Sequence, residues 1–523
     1  MKNNKKSIIY FLIGLSTLFS LSCKKDFNEV NTDPLGKSTV KPEQLLASSL
    51  VNILSTNMVR NRNFNNELMQ VTVDISDADG KVFRYDLRRT LADYTWNNWY
   101  VSLTDIKDIY TISSQPATLN KSYQGISLIL QAWIYQLLTD TYGDVPYTEA
   151  NKGHLGIYEP IFDKQKDIYA DLIAKLAEAN ELLKTGTSIS ASSDPVYSGD
   201  VAKWRRLANS LRLRLLLRIS GKSEVAQATI ATIKEMIDTN PANFPLMESS
   251  DQTAKILWNG TESSTDVYSS PFMVNVRPVD FRGVAICDYF LGKLVTWTDP
   301  RVDPTLGTNS VPRWAIGRGT DGYVGVPSGY AAGVDVIKQA YFYSQGQLIS
   351  GTTYYPTLQT DKYTGIIMNS AEVYFILAEA AAKGWISRNT VSHYYDEGMF
   401  QAINYWLPTY TRAKFAAFQT AANLKWNSAL PLDNLTGGNS QMEMIHQQKY
   451  YANFLVDFQQ WIEYRRTKHP VLPTGPGLVN GGRMPARLFY PIITQSTNPT
   501  NYAKAVASQG ADDINTNVWW QKP

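Results

Sequence analysis

Apolar residues recur every three or four positions from about residue 43 to about residue 240, which predicts a succession of amphipathic helices. Tyr123 to Leu138 is almost wholly apolar and reads as a buried helix. Asp163 is placed to cap the next, whose stripe is Ile168, Leu172, Leu176, Ala179 and Leu183. Asp200 caps another, with Val201, Trp204, Leu207, Leu211, Leu215 and Ile219 on one face. Val225 to Ile237 forms a shorter partner. Between residues 243 and 364 the helical period fades, Gly and Pro become frequent, and aromatics fall in loop-like settings. Helices resume at Asn369, which with Glu372 has the form of a capping box, and stop at Gly384. Ser440 and Glu443 open a long helix through Ile445, Phe454, Phe458 and Trp461 to Arg466, before a Pro- and Gly-rich tail from His469. The pattern predicts a mostly α fold of paired helices with an irregular, loop-rich insert, although no repeat of fixed period stands out.

The amino terminus follows a different pattern. Lys2, Lys5 and Lys6 precede an apolar run from Ile8 to Leu21, too short to span a bilayer, then Ser22 and Cys23. This order predicts a bacterial lipoprotein signal over residues 1–22, with Cys23 acylated as the first mature residue. Ser20 stands where the usual box has an aliphatic residue, and an ordinary secretory signal cut nearby or an uncleaved anchor are the alternatives. Residues 23–42 are polar and read as a tether, leaving residues 43–523 as one domain with the insert at 243–364.

Charge and composition narrow the function classes. The chain has 523 residues, with 50 Lys+Arg and 47 Asp+Glu. Without the leader's three lysines the two balance, which speaks against nucleic-acid binding and against attachment to membranes by surface charge. With Cys23 lipidated, Cys287 has no disulfide partner and reads as a small packed hydrophobe. Aromatics make up 12% of residues, including 31 Tyr and 13 Trp. That surplus suits recognition of carbohydrate or peptide, though large helical cores use the same residues.

Enzyme signatures are missing: no Gly-x-Ser-x-Gly, no His-Glu-x-x-His, no Cys-x-x-Cys, and four scattered histidines. Gly221-Lys222-Ser223 lacks the earlier glycine of a phosphate loop. Glu372 and Glu379 share a helix face and are the only acid pair worth weighing for glycoside hydrolysis, but capping and helix packing account for them. Asp74, Asp77 and Asp79 before Gly80 resemble a calcium loop, yet Ile75 holds the first ligand position of that spacing. No cofactor is expected beyond the lipid on Cys23, and a structural calcium stays open. The arginines between residues 205 and 218 read as a solvated face. For recognition, Trp96, Asn98 and Trp99 combine stacking rings with an amide, against the alternative that Trp96 and Tyr100 are simply i, i+4 core neighbours. Trp314 and Tyr323 sit in the insert with no helical pattern to explain them, and loops on a rigid scaffold are where binding residues gather.

The order of segments resembles the SusD/RagB family of outer-membrane lipoproteins, particularly its SusD-like branch. The strings that carry the resemblance run in order: Asp26-Phe27-Asn28-Glu29-Val30-Asn31-Thr32-Asp33-Pro34, Thr139-Asp140-Thr141-Tyr142-Gly143-Asp144-Val145-Pro146-Tyr147, Tyr197-Ser198-Gly199-Asp200 with Trp204, Asp299-Pro300-Arg301, Arg465-Arg466-Thr467, Arg487-Leu488-Phe489-Tyr490-Pro491 and Trp519-Trp520. The tail departs from the family where Ile492, Ile493, Thr494 and Gln495 replace a stretch that usually carries a Glu. The resemblance implies a tetratricopeptide-like helical scaffold and a non-enzymatic lipoprotein facing the cell exterior. It further implies a hinged lid on a SusC-type TonB-dependent transporter, capturing oligosaccharides or, in some relatives, peptides. The motifs themselves point to scaffold positions and assign no ligand-binding residue.

Overall fold

Asn120 starts the central helix by accepting hydrogen bonds from the backbone N–H groups of Ser122 and Tyr123, and Gly143, at φ +86°, ends it. In this computed structural model, which describes residues 40–76, 79–260 and 266–522, every residue of that helix after Lys121 is buried. The reason is its neighbours. Helices α1 (Pro42–Arg60), α2 (Leu91–Ser113), α3 (Lys121–Tyr142), α4 (Gln165–Lys184) and α5 (Val201–Ile219) pack in sequence, and α3 is covered by α2, α4 and α5. Gly125 lets α3 and α4 approach closely: a Cβ there would lie 2.8 Å from Leu183 Cγ. The predicted stripe of α4 is buried throughout, as are Trp204, Leu207, Leu211, Leu215 and Ile219 of α5. Beyond α6 (Ala226–Lys234) and α7 (Asp288–Trp297), a second set follows: α8 (Ser370–Ala382) packs on α9 (Val391–Trp406) and on α10 (Gln441–Ala452), with α11 (Gln459–Thr467) closing the series. The molecule is mostly helical, built of tetratricopeptide-like helix pairs. Among the described residues no helix is long and apolar enough to cross a membrane. Cys23 and the predicted leader lie outside the described residues.

The insert is clasped at its base, where Ala254–Ile256 pairs antiparallel with Gly365–Met368 and Ile256 stands opposite Gly365. Between these strands the backbone is largely short strands and turns, with one ten-residue helix, α7, that the fading period conceals. Its apolar side chains do not form a separate layer. Trp258, Phe272, Phe290, Trp314 and Phe342 join the same core as the helices.

Several local expectations change. The helix predicted from Ser440 to Arg466 breaks after Ala452, because Leu455 and Asp457 adopt positive φ (+67° and +28°). There the buried Asp457 carboxylate accepts from Trp133 Nε1 at 3.2 Å and Gln459 Nε2 at 2.8 Å. Asn369 and Ser440 cap as predicted, but neither glutamate returns to its cap: Glu372 turns to Arg214, and Glu443 accepts from the Val471 N–H. Asp163 does not cap α4. Its carboxylate holds the Tyr147 and Thr148 amides, while Asp144 accepts from Gln165 N.

The arginines of α5 divide. Arg205, Arg206 and Arg212 are half-buried, whereas Arg214 and Arg218 are in the core. Arg214 makes two bonds to Glu372, at 2.8 and 2.6 Å. Arg218 lies 2.6 Å from Asp140 and 2.8 Å from Glu463. Periodicity misplaces them because it cannot register buried carboxylates 78 to 245 residues away. Glu463 also meets Lys449 and Arg466, and Arg466 meets Glu379, so one ionic network ties α3, α5, α8, α10 and α11 together.

Candidate ligand-binding site

The insert builds an aromatic platform from a three-residue alternation. Ile316–Gly317 pairs antiparallel with Tyr341–Phe342, so Phe342 points into the core while Tyr341 and Tyr343 share the opposite face. Phe342 stacks on Phe454 at 5.9 Å, which fixes the strand from below. Gly317 lets the two rings lie close over the strand: a Cβ would meet Tyr341 Cζ at 3.0 Å and Tyr343 Cε1 at 3.1 Å. Tyr355 lies flat on Tyr343, with centroids 3.9 Å apart and planes within 12°, and Tyr341 meets Tyr343 edge-on at 5.5 Å. Tyr323 is near enough to act on the Tyr343 phenol. All four rings are half-buried, and Tyr354 beside them is exposed. Buried glutamines hold the supporting loops: Gln359 accepts from Gln345 N and donates to the Phe272 and Val276 carbonyls.

Burial, then Tyr355, pushes the Tyr343 phenol well above its ordinary range, and burial also raises Tyr323 against the opposing effect of Arg318. These two phenols therefore stay protonated and offer a donor and an acceptor beside an apolar ring face. Lys338 places its ammonium 4.8 Å from the Tyr341 centroid. Such a surface presents stacking area and hydroxyl groups at low conformational cost, which suits a flat, hydroxyl-rich ligand.

The structure distributes the five residues expected to bind ligand over three settings. Tyr323 belongs to the platform. Trp314 is instead a core residue with no exposed surface, stacked on Phe290 at 5.6 Å and with the Arg301 guanidinium 4.9 Å above it. Trp99 is likewise fully buried and donates from Nε1 to Asn57 Oδ1 at 2.8 Å. Neither ring has a face open to a ligand, because the loop and helix that carry them pack against the common core. Trp96 packs between Tyr100 and Tyr142, both at 5.0 Å, as the i, i+4 alternative has it, and, though buried, lines a cavity of about 240 Å³. Asn98 donates to Tyr94 O of its own helix. Tyr343 and Tyr355 were not among the expected contacts. The Tyr-Phe-Tyr alternation marks the first of them, but three residues are too few for periodicity to register.

The acid pair has no free carboxylate. Glu372 is bound to Arg214, and Glu379 to Arg466, Lys383 and His446. Burial alone would raise Glu379, but Arg466 and Lys383 outweigh it and hold the carboxyl well below the usual range. Cys287 is the packed hydrophobe expected, fully buried, its thiol pushed up to about 12 by burial. Asp74 accepts from Lys81 and Ser76, Asp77 lies outside the described residues, and among the described residues no cluster could hold a metal ion.

Comparison with known proteins agrees with this architecture. Residues 34–491 match the model of the SusD-like family described as starch-binding and associating with the outer membrane. No functionally curated protein matches the chain. Among solved structures, a protein described as chitin-binding superposes with a TM-score of 0.67 at 24% identity, covering 92% of this chain and all of its own. A chitin-binding SusD homologue from Flavobacterium johnsoniae gives 0.71 at 20% identity, covering 92% and 98%. A SusD homologue from Bacteroides uniformis gives 0.71 at 22%, covering 92% and 99%. With the family model spanning most of its length and this helical scaffold beneath an irregular insert, the chain belongs to the SusD-like family.

Proposed function

We propose that this protein is a non-enzymatic, cell-surface lipoprotein, anchored in the outer membrane through Cys23. It captures glycan and hands it to a SusC-type TonB-dependent transporter, over which it acts as a lid. The observation that carries the binding role is the ring platform of Tyr341, Tyr343 and Tyr355, with half-buried Tyr323 near it. The family's starch-binding description and the two neighbours described as chitin-binding support a sugar as the ligand. The core ion pairs of Glu372 and Glu379 support a protein that binds without turnover. Trapping between lid and barrel raises the effective ligand concentration, so the platform needs only modest affinity.

Calorimetric titration of the mature protein with chito- and malto-oligosaccharides tests the reading. Binding should weaken about tenfold in Tyr343→Ala and in Tyr355→Ala, the loss of roughly one stacked ring, with the melting temperature little changed. Peptide binding without binding of any glycan would sink the sugar assignment.

A further inference from the structure

A second cavity, remote in sequence from the insert, lies where α2, α3 and α4 meet the loop around residues 147–155 and has a volume of about 880 Å³. That is within the roughly 300–1,000 Å³ typical of small-molecule sites. Three lysines converge on it, one from α2 (Lys107), one from the loop (Lys152) and one from α4 (Lys175). Lys107 lies 5.2 Å over the Tyr135 ring and Lys175 lies 5.5 Å over the Tyr147 ring, so two of the ammonium groups rest on an aromatic floor. Thr104, Gln131 and Asn151 add hydroxyl and amide groups to the wall.

The charges in this cavity do not balance internally. Lys175 is paired with Asp171, whose carboxylate also accepts from the Tyr147 hydroxyl. Asp108 also lines the cavity, from an exposed position on α2, and His154 lines it from the loop. Among the described residues neither Lys107 nor Lys152 has a carboxylate partner; Lys107 donates only to the Ala150 carbonyl, at 2.9 Å. Burial, reinforced by Lys152 and Lys175, pushes the Lys107 ammonium down to about 8. An apolar-floored cavity that holds unpaired cations against their own repulsion is complementary to an anion.

We propose that this cavity is a second saccharide site, selective for sugars that carry a carboxylate or sulfate group, with Lys107 and Lys152 as the anion-binding residues. The saccharide part rests on the function proposed above, while the anion selectivity rests on the lysines alone. The site divides the work: neutral rings stack on the tyrosine platform, and charged residues of a branched or decorated glycan are held here.

The test is titration of the mature protein with an oligogalacturonate, a sulfated heparin-type oligosaccharide and neutral chito- and malto-oligosaccharides. At least one acidic probe should bind, more weakly as salt rises, and the preferred acid distinguishes carboxylate from sulfate. Its affinity should fall about tenfold in Lys107→Met and in Lys152→Met, each the loss of a charge-assisted hydrogen bond, and stay unchanged in Tyr343→Ala. Lys152 is exposed, so Lys152→Met reads binding even where Lys107→Met perturbs folding. Binding of neutral but not acidic sugars would overturn the inference and leave the proposed function standing. Acidic binding that survives both lysine variants, or that a poly-glutamate peptide displaces at lower concentration, would also overturn it. Failure of every glycan would overturn both proposals.

Discussion

Asp140 sits in the most recognisable string of the chain, yet its part is visible only in the fold. Fully buried, it binds the Arg218 guanidinium and accepts from the Tyr169 hydroxyl and from Trp520 Nε1. A buried ion pair contributes little net stability, but removing one partner strands the other charge at about 3–5 kcal/mol. Beyond the local Gln136, Asp140 is therefore fixed by partners that lie 29 to 380 positions away along the chain, which no local pattern records. His469 offers a direct test of one such polar cluster. Its ring is buried, with Nδ1 at 2.7 Å from Glu443 and Nε2 at 2.7 Å from Asp433. Burial lowers its pKa, but hydrogen bonds to the two carboxylates outweigh that and raise it above the ordinary 6.5. Because the folded value exceeds the unfolded one, the stabilisation is fully present below about pH 6.5 and disappears as pH rises through the folded value. The melting-temperature gap between wild type and His469→Gln should therefore be widest near pH 6 and narrow on the alkaline side. Nearby His446, its ring 6.0 Å away, is pushed down by burial, so each variant is compared with wild type at the same pH. A gap that widens with rising pH would refute the assignment.

At the scale of elements, the helices were legible wherever one face carried the apolar residues. The stripe of α4, that of α5 from Trp204 onward, and the strongly apolar Tyr123 to Leu138 of α3 are buried as read from the sequence. The break between α10 and α11 was not legible, since Leu455 and Asp457 take positive φ without a glycine or proline to announce it. The insert was recognised as irregular, but its aromatics could not be sorted into core and surface. Trp314 and Tyr323 look alike in sequence, and only the depth at which the loop crosses the core separates them. The same packing logic makes a prediction for the α3–α4 contact. Gly125 faces Leu183 Cγ at 2.8 Å and the Ala179 carbonyl at 3.4 Å, measured from the Cβ it lacks. A leucine at this site has no room, so Gly125→Leu should destabilise by about 1–3 kcal/mol or more through overpacking, despite leucine's better helix propensity. Urea unfolding measures this, and an unchanged or raised midpoint would mean that the two helices part without cost.

For the whole molecule, the proposed function turns on what keeps a protein with balanced charge at a membrane. Without the three lysines of the predicted leader the formal charges would cancel, so anionic lipid would offer little attraction. Under the proposed function the acyl chains on Cys23 supply the attachment. Capture and delivery then become separable. The proposed binding platform is built by residues 316–355, far along the chain from Cys23. Cys23→Ser should therefore yield a folded protein with wild-type glycan affinity that is recovered from the soluble fraction. Uptake should nonetheless fall sharply, because a lid that is free to diffuse no longer benefits from the high effective concentration of a tethered one. Fractionation, calorimetry and uptake of labelled oligosaccharide measure the three quantities independently. Normal uptake by a fully released protein would show that contact with the transporter alone suffices, and the anchor would then have no part in transport.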